Sequence, residues 1–96
     1  MNKGEFERRV KMSKRHTYLV YENSFQADNR GEKRFEYRRE NEEINVGDTL
    51  ELIEITEKDA DTGGVLTVEI THIQYGGEYS IPDGFMIMSI KLAKLA

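Results

Sequence analysis

Alternation of apolar and polar positions divides most of the chain into extended segments. "HTYLVYE" is rich in β-branched and aromatic residues and reads as a first strand. "NSFQADNRG" follows, and it predicts a short helix capped by Asn23 or Ser24, with Phe25 toward the core and Gly31 as the stop. So short a helix has to be held by packing on a sheet. "KRFEYRRE" predicts the second strand, and "NEEINVGDT" a turn broken at Gly47-Asp48. In "TLELIEITE" the apolar phase slips, because Leu50 and Leu52 share one parity and Ile53 and Ile55 the other. A bulge or bend is expected there.

"KDADTGG" has the chemistry of a hairpin loop. "VLTVEITHI" alternates cleanly, with Leu66, Val68 and Ile70 inward and Thr67, Glu69 and Thr71 outward. By the same parity His72 belongs with the inward set. "QYGGEYSIPDG" is a loop closed by a Pro82-Asp83-Gly84 turn, and "FMIMSIKL", apolar on both parities, predicts a central strand covered on both faces. About five strands and one early helix, with no βαβ repeat, predict a mainly β (α+β) fold: a small, mostly antiparallel barrel.

Composition narrows the function classes. At 96 residues the chain makes one domain. We place an N-terminal basic arm at residues 1–15 and the folded domain at 16–96. With no cysteine there is no disulfide, thiolate metal site or cysteine nucleophile. No apolar run is long enough for a signal-peptide core or a membrane span, so a cytoplasmic protein without membrane contact is expected. The net charge of -4 is unevenly spread. Residues 1–16 hold six Lys/Arg against two Glu, and residues 30–39 five against two. Residues 40–61 hold nine acids and one lysine. The acidic total argues against strong non-specific binding to nucleic acid but leaves room for a short or single-stranded piece, or a nucleotide.

Few residues suggest chemistry. His16 and His72 lie far apart without ligand spacing, so no metal and no cofactor is expected, and a partly buried, hydrogen-bonded histidine is the simpler reading of each. No nucleophile elbow or phosphate loop is present. "GEKRFEYRRE" stands out, with seven charged residues around two aromatics. Parity sets Lys33, Phe35 and Tyr37 on one face and Arg34, Glu36 and Arg38 on the other. Two readings follow: a solvated charge ladder with a weak Glu36–Arg38 pair, or a strand lining a polar cleft. From periodicity alone the ladder is the simpler.

The spacing adds a further clue. "GEKRFEYR" fits G-x-K-x-x-E-x-R through Gly31, Lys33, Glu36 and Arg38. This resembles the signature of the ASCH domain of the PUA-like superfamily. "HTYLV", "SF", "INVGDTLEL", "TGGVLTVEITHI" and "IPDGFMIMSI" resemble, in order, segments of a small bacterial and phage subfamily of unknown function. Glu22 departs from a frequent proline there, and Asn41 from a frequent aspartate.

The resemblance implies a β-barrel with a helix over one opening, and a cleft between them that takes RNA or a nucleotide. In that cleft Gly31 would end the helix and let the backbone approach a ligand. Lys33 would offer a cation, Glu36 an acceptor and Arg38 a phosphate or base contact, with His16 on the neighbouring strand lining the same space. Glu36 and Arg38 would then face the cleft, while Phe35 and Tyr37 anchor the strand in the core or under the helix. A catalytic ASCH branch, the bacterial acetylcytidine amidohydrolases, uses the motif lysine with a threonine where this chain has Glu36. Glu36 supplies no hydroxyl nucleophile, so a binding module is expected and no catalytic residue is assigned. A small hydrolase of a modified nucleoside is the first alternative. A protein-interaction accessory factor of a mobile element, acting through residues 40–61, is the second. A monomer is assumed.

Overall fold

The structure, a computed structural model, describes residues 13–93. The expected N-terminal arm lies almost wholly outside the described residues. The elements are β1 (Arg15–Tyr21), α1 (Glu22–Asn29), β2 (Phe35–Arg39), β3 (Thr49–Ile55), β4 (Asp61–Tyr75) and β5 (Phe85–Leu92). The strands form one sheet in the order β1-β3-β4-β5-β2. Only β1 and β3 are parallel; the other three pairs are antiparallel. The sheet curls into a half-barrel with the single helix after the first strand, as the alternation predicted.

Inward residues of every strand meet inside the curl. Val20, Leu50, Leu52, Val68, Ile70, Met86, Met88 and Ile90 are buried there, with Phe25 from the helix and Ile44 from the turn before β3. The helix is weakly amphipathic and is held by this packing, chiefly through Phe25. β5 lies between β4 and β2, as its apolar sequence predicted. Its second face, carrying Phe85, Ile87 and Ser89, is only half-buried.

Three local expectations are corrected. The helix begins at Glu22, one residue or more before Asn23 or Ser24, directly out of β1, and Tyr21 at its N-cap makes no side-chain capping bond. Packing of Phe25, rather than a cap, fixes where it starts. The "KDADTGG" segment is only partly a loop. The hairpin turn is Thr56–Ala60, closed by Thr56 N–H to the Ala60 carbonyl and by Ala60 N–H to the Thr56 hydroxyl. β4 already runs from Asp61. The phase slip expected in β3 falls where Ile53 pairs with Val65 but Ile55 pairs with Asp61. Residues 62–64 of β4 therefore lie opposite the single Glu54, so the irregularity belongs to β4.

The third correction concerns His72. Ile70 pairs with Ile90 but His72 with Ser89, so Thr71 is an extra residue in β4. The bulge reverses the parity: Ile73, not His72, is buried, and His72 is exposed beside Gln74.

Candidate functional site

The segment from α1 into β2 makes a tight turn before it delivers the motif. Glu32 N–H donates to the Ala27 carbonyl and Gly31 N–H to the Asp28 carbonyl, the paired bonds of a Schellman cap. Gly31 sits at φ +73°, a left-handed conformation that costs other residues a clash with their own Cβ. A Cβ there would have no atom within 4 Å, so the glycine answers to backbone conformation and not to crowding. The turn brings Lys33 back under the end of the helix. Lys33 precedes β2, so strand parity does not govern its side chain, and it lies on the same side as Glu36.

There the Lys33 ammonium uses all three donors. It donates to Asp28 Oδ1 at 3.1 Å, to Glu36 Oε1 at 2.9 Å and to the Phe35 carbonyl at 2.7 Å. Glu36 Oε2 accepts from Arg38 Nε at 3.2 Å. Arg38 reaches across to the opposite edge of the sheet, donating from Nη2 to the Leu19 carbonyl at 3.0 Å, with its guanidinium 4.3 Å from the centroid of the Tyr18 ring. The edges β1 and β2 share no backbone ladder. Arg38 is a side-chain bridge across the seam between them.

Burial separates the roles. Glu36 and Asp28 are each only 3% exposed. Asp28 Oδ2 is the one buried side-chain polar atom among the described residues with no hydrogen-bond partner. Burial pushes the Asp28 carboxyl above the usual carboxylate range; Lys33 pulls it down, and the Glu36 carboxyl nearby adds to the rise. Burial likewise raises the Tyr18 phenol, against the lowering charge of Arg38. The Arg38 side chain stays 29% exposed. Beside it a cleft of about 260 Å3 opens along the seam, lined by Leu19, Ser24, Lys33, Glu36 and Arg38 and rimmed by Phe35 and Tyr37. A second hollow of about 270 Å3 lies on the other side of Lys33, with Asp28 and Gly31 against Val68 and Ile90.

The predicted site residues are therefore partly brought together. Lys33, Glu36 and Arg38 form one cluster, and Gly31 shapes the turn that makes it. His16 is engaged elsewhere: its Nε2 lies 2.8 Å from Asp48 Oδ2. Asp48, 1% exposed, also accepts from the backbone N–H groups of Lys14 and Asn45, at 3.0 Å each. His16 shares an inward face with Tyr18 and Val20 but belongs to this buried tie. The expectation for Phe35 and Tyr37 is corrected. Both lie on the outer face, about half-exposed, because Glu36 and Arg38 take the inward positions of β2. Tyr37 stacks on Phe85 instead of entering the core.

Asp28 was not among the predicted residues. Its only sequence signal is helical spacing: Phe25 and Asp28, three apart, share the buried face. Glu54 was missed too. It points inward after Leu50 and Leu52 and accepts from Gln26 and Thr62. Gly64 lies opposite it, and a Cβ there would come within 2.7 Å of Glu54 Oε1 and push that oxygen aside. Among the described residues no group of three His, Asp or Glu side chains is arranged to hold a metal ion. No described helix is long and apolar enough to cross a membrane.

A family model for a domain of unknown function, DUF3850, matches residues 15–90. The chain belongs to the DUF3850 family. The matched span runs from the first residue of β1 to within two residues of the end of β5, so it takes in the whole sheet, the helix and the seam cluster. No curated protein matches the chain. The DUF3850 assignment thus names a family without an activity, and the functional reading rests on the cleft.

Proposed function

We propose that the protein is an ASCH-like, PUA-like module that binds RNA or a nucleotide in the seam cleft, with Arg38 as the direct contact. One observation supports this above the others. Arg38 is fixed by Glu36, the Leu19 carbonyl and the Tyr18 ring, yet its side chain stays 29% exposed and lines the cleft. A pre-oriented guanidinium suits phosphate or a base edge, since little side-chain freedom is left to lose on binding. Lys33, Glu36 and Asp28 act one step back. Lys33 has no donor to spare, so its work is to hold Glu36, which holds Arg38. The basic segment 30–39 supplies the long-range attraction. A cysteine-free chain suits a cytoplasmic setting for this work.

The test is binding of short single-stranded RNA and of mononucleotides, followed by calorimetry or fluorescence anisotropy. Arg38→Gln is expected to weaken binding by roughly tenfold or more, the scale of a charged hydrogen bond. Arg38→Lys should restore little of it, because an ammonium cannot keep both the Glu36 and Leu19 bonds. Unchanged affinity in both variants would sink the reading.

Ser24 gives the hydrolase reading one foothold, because its hydroxyl lines the same cleft as Lys33. An ammonium holding three acceptors offers no lone pair to take the serine proton. Turnover of an N-acylated cytidine that disappears in both Ser24→Ala and Lys33→Ala would nonetheless establish that chemistry.

A further inference from the structure

The outer face of β2 and β5 carries a group of side chains that the cleft does not use. Phe35 and Tyr37 are 48% and 45% exposed. They stand two residues apart on one face of an edge strand, about 7 Å by strand rise. Tyr37 lies over Phe85 with centroids 5.5 Å apart and planes 4° apart. Phe35 and Phe85 each have a cation at the ring as well. Lys33 Nζ is 4.8 Å from the Phe35 centroid, and the Arg39 guanidinium 5.1 Å from that of Phe85. Arg34 and Arg39 are exposed at the two ends of this row.

A fold at rest gains little from such a row. Half-exposed aromatics on an edge strand leave apolar surface in water, and packing on Phe85 covers only one face of Tyr37. Lys33 and Arg39 approach the rings while the flanking strand stays basic. A purely apolar partner would have to strip the exposed Arg34 and Arg39 of water. A polyanion with flat, stackable groups satisfies both features together: its rings lie on the free aromatic faces and its charges meet the arginines. Bases of duplex nucleic acid are stacked on each other and cannot do this, whereas those of a single strand can.

We infer that the outer face of β2 and β5 is a stacking platform for single-stranded nucleic acid, Phe35 and Tyr37 each receiving one base and Arg34 and Arg39 meeting the phosphates. This deepens the cleft reading, because the two rings rim the same seam and the strand would run from Arg38 out over the sheet. It can still fail or stand separately.

The experiment compares a fluorescein-labelled uridine octamer with uridine monophosphate, on the wild type, the Phe35→Leu/Tyr37→Leu double variant and Arg38→Gln. Thermal melting checks that the variants fold, and Tyr37→Phe, which keeps a ring, serves as the conservative control. The expected result is octamer binding much tighter than monophosphate binding. That ratio should collapse on the order of tenfold for each ring lost and persist in Tyr37→Phe. A duplex octamer should not compete. An unchanged ratio in the double variant overturns the platform, as does a wild type that ignores the octamer. Self-association of the wild type abolished by the double variant also overturns it, because the face then belongs to a second copy. Monophosphate binding that is absent, or indifferent to Arg38→Gln, while the octamer still depends on the two rings, removes the cleft reading and leaves the platform.

Discussion

Asp28 carries one carboxylate oxygen bonded to Lys33 and one with no donor, in a side chain closed to solvent. Its carboxyl holds a proton more tightly in the folded chain than in the unfolded one, where the ordinary value is 3.8. Its contribution to stability is therefore whole below that value and is lost as pH rises through the elevated folded one. The side-chain amide of an Asp28→Asn variant cannot ionise and escapes that loss. The urea midpoint of the variant, relative to wild type, should rise as pH increases above the ordinary value of 3.8. A difference that stays flat with pH would show that Asp28 is no more costly to ionise folded than unfolded. At this scale Lys33, Glu36 and Arg38 were picked out by resemblance to a family signature, whereas periodicity favoured a solvated ladder with Lys33 on the opposite face. Asp28 was not picked out, because only the turn at Gly31 folds Lys33 back beneath it.

Helix α1 spans eight residues, with no side-chain cap at its start and a well-formed Schellman cap at its end. Its definition depends on that end. Gly31→Ala is expected to destabilise the protein by about 1–2 kcal/mol, the cost of a left-handed conformation for a residue with a Cβ. Gly31→Asn should cost less, since asparagine tolerates that region. Urea unfolding of the two variants decides the point: equal losses would argue for crowding over conformation. Strand identities were legible in their alternation, and the disturbance near Ile53 was legible as a slip. Its location was not. Sequence shows one strand's phase, whereas a bulge is a mismatch between two strands, and here β4 carries both irregularities. The same limit misplaced His72.

Across the whole molecule, two polar ties brace the curl, one at the start of the β1–β3 ladder and one across the unpaired seam between β1 and β2. At the start of the sheet, buried Asp48 gathers Lys14, Asn45 and His16 onto one carboxylate, joining the entry of β1 to the turn before β3. Asp48→Ala leaves these donors unmade and is expected to cost about 3 kcal/mol or more, with Asp48→Asn milder because one oxygen acceptor remains. Thermal melting measures this; a loss below about 1 kcal/mol would mean water replaces the carboxylate. At the seam, Arg38 joins edges that are far apart in sheet order.

The mainly β class, the order of the elements and the interior place of β5 were readable from side-chain period and local turn chemistry, which a linear chain displays. Tertiary structure alone decided that Lys33 is saturated, that Asp28 completes its cluster, that His16 serves Asp48, and that Phe35 and Tyr37 face outward. Each of these depends on which strand edge, helix end or opposing residue is brought near, and such proximity arises only when the sheet curls and closes.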